Sequence, residues 1–526
     1  MRYLINTKSF VFMKALFTLC CCVLVVLYSM CVMAQDKRTL IIGAASDIHT
    51  LDPAVSMDNS DWRQTYPAYD RLVRYEVVKG QGTTRAEPFA ARAWSVSGDG
   101  LTWNFYIRPG ISFADGTALD AEAVRFSLQR ALDIGKGPAQ NFNVIESMRV
   151  IDPLTLEIKL ARPFGPFLQT MATNAASIIN PAVLEHDARN DLGQDWLRTN
   201  TDGSGPFSLK ELVPGKYAVL QAVKDYWDGT PWLDQVVVKF IPDPDERMAA
   251  LESGRIHIAE NLLMEQLIRL EDNQDIKVHR YPSQLVEYVY INTQRPHLSD
   301  PRVRRALNFA VDYQAIIENV IHGNAVQMKG PIPQGMWGHN PYAYQYEYNP
   351  QKAADLLSEA GVEDLRLTLK YSERRSEWKE IAKELQTSFS RAGIILELEF
   401  VPNPVLREQL DKGDFDLCLG VWSPDFADPY MFMNFWFDST YWGLPGNRSF
   451  YKNVVVDELL RHAAESSSVA GRTKLYSRVQ DIVISDAPYI FLHQIEAAVA
   501  MHKSVQGFVY NPMLESIYNI ESIWIK

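Results

Sequence analysis

Residues 365–400 read LRLTLKYSERRSEWKEIAKELQTSFSRAGIILELEF, and their periodicities decide the fold class. Leu365, Leu367 and Leu369 alternate with polar neighbours, the period of a half-buried strand. Trp378, Ile381, Ala382, Leu385 and Phe389 then share one face of a helix that Gly393 ends. Leu396, Leu398 and Phe400 alternate again as a second strand, so the stretch predicts a βαβ unit. A short helical stretch around Val405–Leu410 and a third strand over Phe415–Trp422 extend it, and the three strands are expected to be parallel.

Parallel strands joined by helices share one carboxyl edge, and ligands of open α/β sheets bind outside that edge. The loop after the first strand is Tyr371-Ser372-Glu373-Arg374-Arg375, and the loop after the third is Ser423-Pro424-Asp425-Phe426-Ala427-Asp428-Pro429. One rim therefore carries guanidinium groups and carboxylates, which suits a ligand with an anionic end and a cationic end. The competing reading is a pair of solvated loops whose charges meet water or one another. Asp428, before a proline, reads as a turn residue. The run Tyr430, Phe432, Phe435, Trp436 and Phe437 can stack a ligand, but its aromatic density reads first as core.

The remaining chain repeats the same alternation of strands and helices. Leu101, Trp103, Phe105 and Ile107 alternate after the turn Ser97-Gly98-Asp99-Gly100, which predicts a hairpin. Asp120 caps a helix with Val124, Leu128, Ala131 and Leu132 on one face. A strand over Leu233–Ile241 leads into a helix through Met248 and Leu251, and another strand lies near Tyr288–Asn292. Asp300-Pro301 opens a helix striped by Val303, Ala306, Leu307, Ala310 and Val311.

Arg2, Lys8 and Lys14 precede an uncharged apolar run from Ala15 to Ala34, with Val32 and Ala34 placed as a signal peptidase requires. The expectation is a signal peptide cleaved after Ala34, the alternative an uncleaved anchor. The 526 residues carry a net charge of -12, and the first 34 hold three basic and no acidic side chains, so the exported chain is more acidic still. An acidic chain of this kind does not have nucleic acid as its main partner. Four of the five cysteines, Cys20, Cys21, Cys22 and Cys31, precede the cleavage point; Cys418 alone remains, in an apolar run, and reads as a buried inert thiol. With this length, two or three cores and no disulfide are expected.

No catalytic signature is present. The 10 histidines never recur at i, i+4, and neither a Gly-x-Ser-x-Gly elbow nor a Gly-x-x-x-x-Gly-Lys loop occurs. A secreted carboxylate-based hydrolase is the remote alternative, with a pair such as Asp425 and Asp428 as its acid and base.

Several motifs carry a resemblance. Leu51-Asp52-Pro53, Glu87-Pro88, Ala91-Arg92-Ala93-Trp94, Gly98-Asp99-Gly100-Leu101-Thr102-Trp103, Arg108-Pro109-Gly110 and Asp115-Gly116-Thr117 occur in that order. Gly203-Ser204-Gly205-Pro206-Phe207, Tyr226-Trp227-Asp228-Gly229, Asn292-Thr293 and Val303-Arg304-Arg305-Ala306-Leu307 follow. Together they resemble extracytoplasmic solute-binding proteins of family 5, which serve ABC importers of peptides, nickel and related solutes. The resemblance implies an α/β, two-lobed periplasmic binding protein fold with an extra subdomain. Domain I would take residues 35–76, 201–291 and 497–526, the inserted domain II residues 77–200, and domain III residues 292–496. It also implies a monomeric, non-enzymatic periplasmic receptor without cofactor or bound metal, delivering a short peptide or small zwitterion to permease subunits in the inner membrane. A nickel chelate, haem, opine or oligosaccharide is the alternative cargo.

Peptide-binding members of the family hold the ligand amine with an aspartate in a segment like Gly-Trp-x-x-Asp-x-x-Asp/Glu-Pro. Gly420-Val421-Trp422-Ser423-Pro424-Asp425-Phe426-Ala427-Asp428-Pro429 resembles it with one residue inserted, which gives Asp425 the amine and makes Trp422 and Phe426 its aromatic neighbours in the site. The same likeness puts an arginine for the ligand carboxylate in the 371–375 loop, as Arg374 or Arg375.

Overall fold

A computed structural model describes residues 38–526 apart from 188, 445, 515 and 516; the expected signal peptide and cleavage point lie outside the described residues. The expected unit forms as three strands, β1 (Arg366–Tyr371), β2 (Ile395–Phe400) and β3 (Leu417–Trp422), with helices α1 (Trp378–Ser390) and α2 (Asn403–Lys412) between them. β1 pairs in parallel with β2 on one side and with β3 on the other. The chain leaves β1 towards β2 and returns across it to β3, so the carboxyl ends of β1 and β3 flank a topological switch point. The five apolar residues read as the helical stripe of α1 are all at most 2% exposed.

This unit is one end of an 11-stranded sheet. Beyond β3 come the long strands Ile276–Ile291 and Tyr489–His502, then Ile258–Ala259, Thr39–Ala44, Gln235–Phe240, Tyr217–Ala222 and Phe207–Val213, while the short strand Ala325–Gln327 pairs with Tyr489–His502 off this path. The two long strands pair antiparallel, with a register break between Pro282 and Val286, where the sheet passes from one half to the other. A separate four-stranded sheet, Ala91–Val96, Thr102–Ile107, Thr155–Leu160 and Ile145–Asp152, carries the expected hairpin. Trp103, Phe105 and Ile107 are buried, as their alternation requires.

The sequence-predicted caps form. The Asp120 carboxylate accepts the Ala123 N–H at 3.0 Å, and that of Asp300 accepts the Arg302 N–H at 2.8 Å. Asp52 of the Leu-Asp-Pro motif is fully buried and takes two bonds, of 2.8 and 2.7 Å, from Arg130, which ties an early loop to the helix Ala121–Ile134. At Gly203 an added Cβ would stand 2.1 Å from the Ala68 carbonyl oxygen, which accounts for a glycine there. No helix among the described residues is long and apolar enough to cross a membrane.

The aromatic run after β3 forms a helix, α3 (Tyr430–Phe437), whose Phe432, Trp436 and Phe437 are buried in the core. Cys418 is buried and free, and burial pushes its thiol up to about 12.

Candidate functional site

The loop after β3 begins where the sheet demands a glycine. Gly420 lies opposite Tyr288, and a Cβ at this position would come within 2.5 Å of the Tyr288 and Tyr290 rings. Trp422, the last residue of β3, is half-buried at the base of the loop, with the Arg448 guanidinium 5.8 Å from its ring. The far end of the loop is pinned. Asp428 accepts the Tyr430 N–H at 2.9 Å and takes two bonds from Arg472 at 2.6 and 2.7 Å, with both charged groups buried. Turn geometry alone therefore understates Asp428: its main partner is an arginine 44 residues away in sequence. Trp337 Nε1 donates to the Ala427 carbonyl at 3.1 Å, and Phe426 turns into the aromatic core against Tyr430, away from the cleft wall.

Asp425 is left at the tip, in a cleft of about 240 Å³. Met57, Asp58, Asn59 and Trp62 form the facing wall, Gln284 and Leu285 the floor at the register break of the long strands, and Pro512 and Met513 a side. Solvent reaches the Asp425 carboxylate, yet the protein around it strips enough hydration to push its carboxyl up from the usual aspartate value. No hydrogen bond or ion pair holds it among the described residues. Asp58 adds a second carboxylate, and among the described residues no lysine or arginine lines the cleft. Gln284 donates through Nε2 to the carbonyls of Ser283 and Gln334, which leaves its buried Oε1 without a donor. The cleft thus offers acceptors and suits a ligand that brings N–H groups or positive charge. A larger groove of about 410 Å³, lined by Phe309, Tyr346 and Lys352, touches neither rim loop.

The 371–375 loop is tied down at Glu373, whose carboxylate accepts the Asn403 N–H at the start of α2. Arg374 is exposed and makes no ion pair among the described residues. Arg375 is engaged: its Nε donates to Glu287 at 3.0 Å and to Glu377 at 2.8 Å. The two loops share the carboxyl edge, because Glu287 lies opposite Val421 in the strand register. One trio among the described residues, His49, Asp58 and Asp61, groups potential metal-ligating atoms within 4.8 Å. Asp61 already accepts the His49 and Thr50 N–H groups and the Ser56 hydroxyl, a loop-locking role.

Asp58, Trp62, Gln284 and Met513 are site residues that reading the sequence did not find. They come from three segments far from the rim loops, and only the Leu51-Asp52-Pro53 motif stood near one of them.

Residues 85–443 match the middle region of the bacterial extracellular solute-binding proteins, family 5. The probable D,D-dipeptide-binding periplasmic protein of Escherichia coli strain K12 is 44% identical over 490 residues, 93% of this chain and 95% of that protein. Among solved structures, the ABC transporter-associated periplasmic binding protein of Helicobacter pylori in complex with the peptide STSA superposes with a TM-score of 0.73 at 26% identity, covering 94% of this chain and 99% of that one. The unliganded open form of a periplasmic murein tripeptide binding protein superposes with a TM-score of 0.82 at 23% identity, covering 93% of this chain and 98% of that one. A large mixed α/β sheet with an acceptor-lined cleft beside the loop after β3, matched along nearly the whole chain, makes this protein a member of the bacterial extracellular solute-binding proteins, family 5.

Proposed function

We propose that the chain is the periplasmic receptor of an ABC importer, and that it captures a short peptide between its lobes and delivers it to permease subunits in the inner membrane. A D,D-dipeptide is the first ligand to test, because the relative at 44% identity is named for that class. In this reading the protein is exported with cleavage after Ala34, acts as a monomer and catalyses no reaction. The lobes divide at the register break of the two long strands, which supports residues 292–496 as the second lobe and the remainder, with its insert 77–200, as the first.

The observation that carries this reading is the Asp425 carboxylate, held without a protein donor in a cleft whose far wall comes from a distant segment. A ligand ammonium supplies the missing charge, while the ligand carboxylate meets Arg374 and Arg375 on the neighbouring loop. The better match to an open form than to a peptide complex supports an open arrangement that closes on its cargo. Calorimetric titration of the exported protein with D-alanyl-D-alanine tests it. Asp425→Asn keeps the shape and removes the charge, and breaking a pair buried by closure costs about 3–5 kcal/mol, so affinity falls at least about a hundredfold. Equal affinity of the two proteins removes Asp425 from ligand recognition.

A further inference from the structure

Where the two long strands enter the second half of the sheet they carry two buried ionisable side chains that face each other. Glu287 on Ile276–Ile291 is the register partner of His493 on Tyr489–His502, and His493 Nε2 stands 3.5 Å from Glu287 Oε2. Both side chains are fully buried or nearly so, and neither Glu287 Oε2 nor either ring nitrogen of His493 has a hydrogen-bond partner among the described residues. The other carboxylate oxygen, Oε1, accepts from Arg375 Nε at 3.0 Å. Arg375 belongs to the 371–375 loop, so one guanidinium links the buried pair to that loop at the carboxyl edge of the sheet.

The charges facing Glu287 are few. The rim loop contributes Arg375 and Glu377, and the strand Tyr489–His502 contributes His493. β3 places Val421 opposite it, and the start of α1 adds the Trp378 indole, neither of them charged. Burial pushes the Glu287 carboxyl up to about 7, with Arg375 opposing the rise and Glu377 adding to it. Burial likewise pushes His493 down to about 4. Arg375 spends Nε and Nη2 on these carboxylates, while Nη1 has no partner among the described residues.

We propose that Glu287 is a positioning residue of the ligand site, which holds the Arg375 guanidinium on the 371–375 loop, and that the Glu287–His493 pair takes up a proton from solvent when the ligand carboxylate joins Arg375. The inference rests on the reading that the anionic end of the ligand is held at the 371–375 loop. Its sign follows from charge. A ligand carboxylate either shares Arg375 through Nη1 or draws it away, and in both cases the ionised form of Glu287 loses cationic stabilisation. The proton affinity of the pair then rises on binding. Because the two groups are coupled, the proton belongs to the pair and not to one residue. Ligand binding therefore weakens as pH rises through the titration of Glu287.

The test is calorimetry of the exported wild-type protein with D-alanyl-D-alanine at pH 7, in buffers of different ionisation enthalpy, which counts protons per ligand. At this pH the ligand amine, with a pKa near 8, is about nine-tenths protonated and supplies an uptake of only about 0.1 proton. The expected wild-type uptake is about half a proton per ligand, because Glu287 begins about half ionised. Glu287→Gln should retain only the share of the amine and bind more weakly, since Arg375 is then less firmly held. If that variant does not fold, the wild-type proton count alone decides. Binding with no uptake beyond that of the amine overturns the coupling and leaves the peptide reading standing. No binding of the dipeptide overturns both.

Discussion

Asp425 and Asp428 stand three residues apart in one loop, and the structure gives them opposite surroundings, one in an open cleft and one in a buried ion pair, so substituting each by asparagine should damage different properties. Asp428 takes two charge-assisted bonds from Arg472, at 2.6 and 2.7 Å, with both groups at most 2% exposed. Such bonds contribute about 1.5–3 kcal/mol each, and removing one partner of a buried pair costs about 3–5 kcal/mol because the other charge is stranded. Asparagine keeps a single oxygen, which can still accept from both the Tyr430 N–H and Arg472 Nη2, and this puts Asp428→Asn near the low end, about 3 kcal/mol. For a domain of roughly 200 residues this corresponds to a loss of about 6–12 °C in Tm. Scanning calorimetry of the exported protein measures it, with the ligand titration run well below the transition. Asp428→Asn should melt early and bind within about threefold of wild type; Asp425→Asn should melt as wild type and lose binding. Replacing both partners with apolar side chains, Asp428→Leu with Arg472→Met, should recover much of the lost stability, since no charge remains stranded. An Asp428→Asn protein that melts within about 2 °C of wild type would refute the argument that this pair holds the loop.

Gly420→Ala drives a methyl group into the Tyr288 and Tyr290 rings and should cost about 1–3 kcal/mol, read as a lowered urea midpoint. Cys418 should resist iodoacetamide in the folded protein at pH 8 and react once the protein is unfolded, because it is buried and its thiol is pushed up to about 12. Glu287 carries a folded-state pKa of about 7 against an ordinary 4.5, so the folded protein holds this proton more tightly and loses stability as pH rises through that window. Glu287→Gln should therefore gain up to about 3 kcal/mol over wild type at pH 8, with the difference closing by pH 5 in urea titrations. Sequencing the N-terminus of the exported protein should return Gln35 as the first residue.

Local elements were legible because each depends on neighbours in sequence. The stripe from Trp378 to Phe389, the alternation from Leu101 to Ile107 and the Asp120 and Asp300 caps are short-range patterns, and each forms where its periodicity places it. The parallel pairing of β1, β2 and β3 was also legible, since a helix between two strands permits little else. Their order was not. That β3 returns to the other side of β1 is a choice of edge, made by packing against the long strands, and no residue in 365–422 announces it.

The same limit decides which residues of the cleft a reading of the sequence can single out. Asp425 was singled out by the family motif, in a loop that the carboxyl-edge argument had already marked, and it lines the cleft. Phe426 was assigned to the ligand on the same grounds of adjacency, yet the Ala427 and Asp428 anchors twist the loop and turn its ring into the core. Arg375 looked equivalent to Arg374 in sequence. What separates them is Glu287, 88 residues earlier on a strand whose register with β3 brings its carboxylate beneath the rim. Asp58 and Gln284 reach the cleft through the order of strands in the large sheet. Reading such a site thus requires the topology first, because long-range strand order decides which distant carboxylate neutralises which rim charge, and hence which charge remains for the ligand.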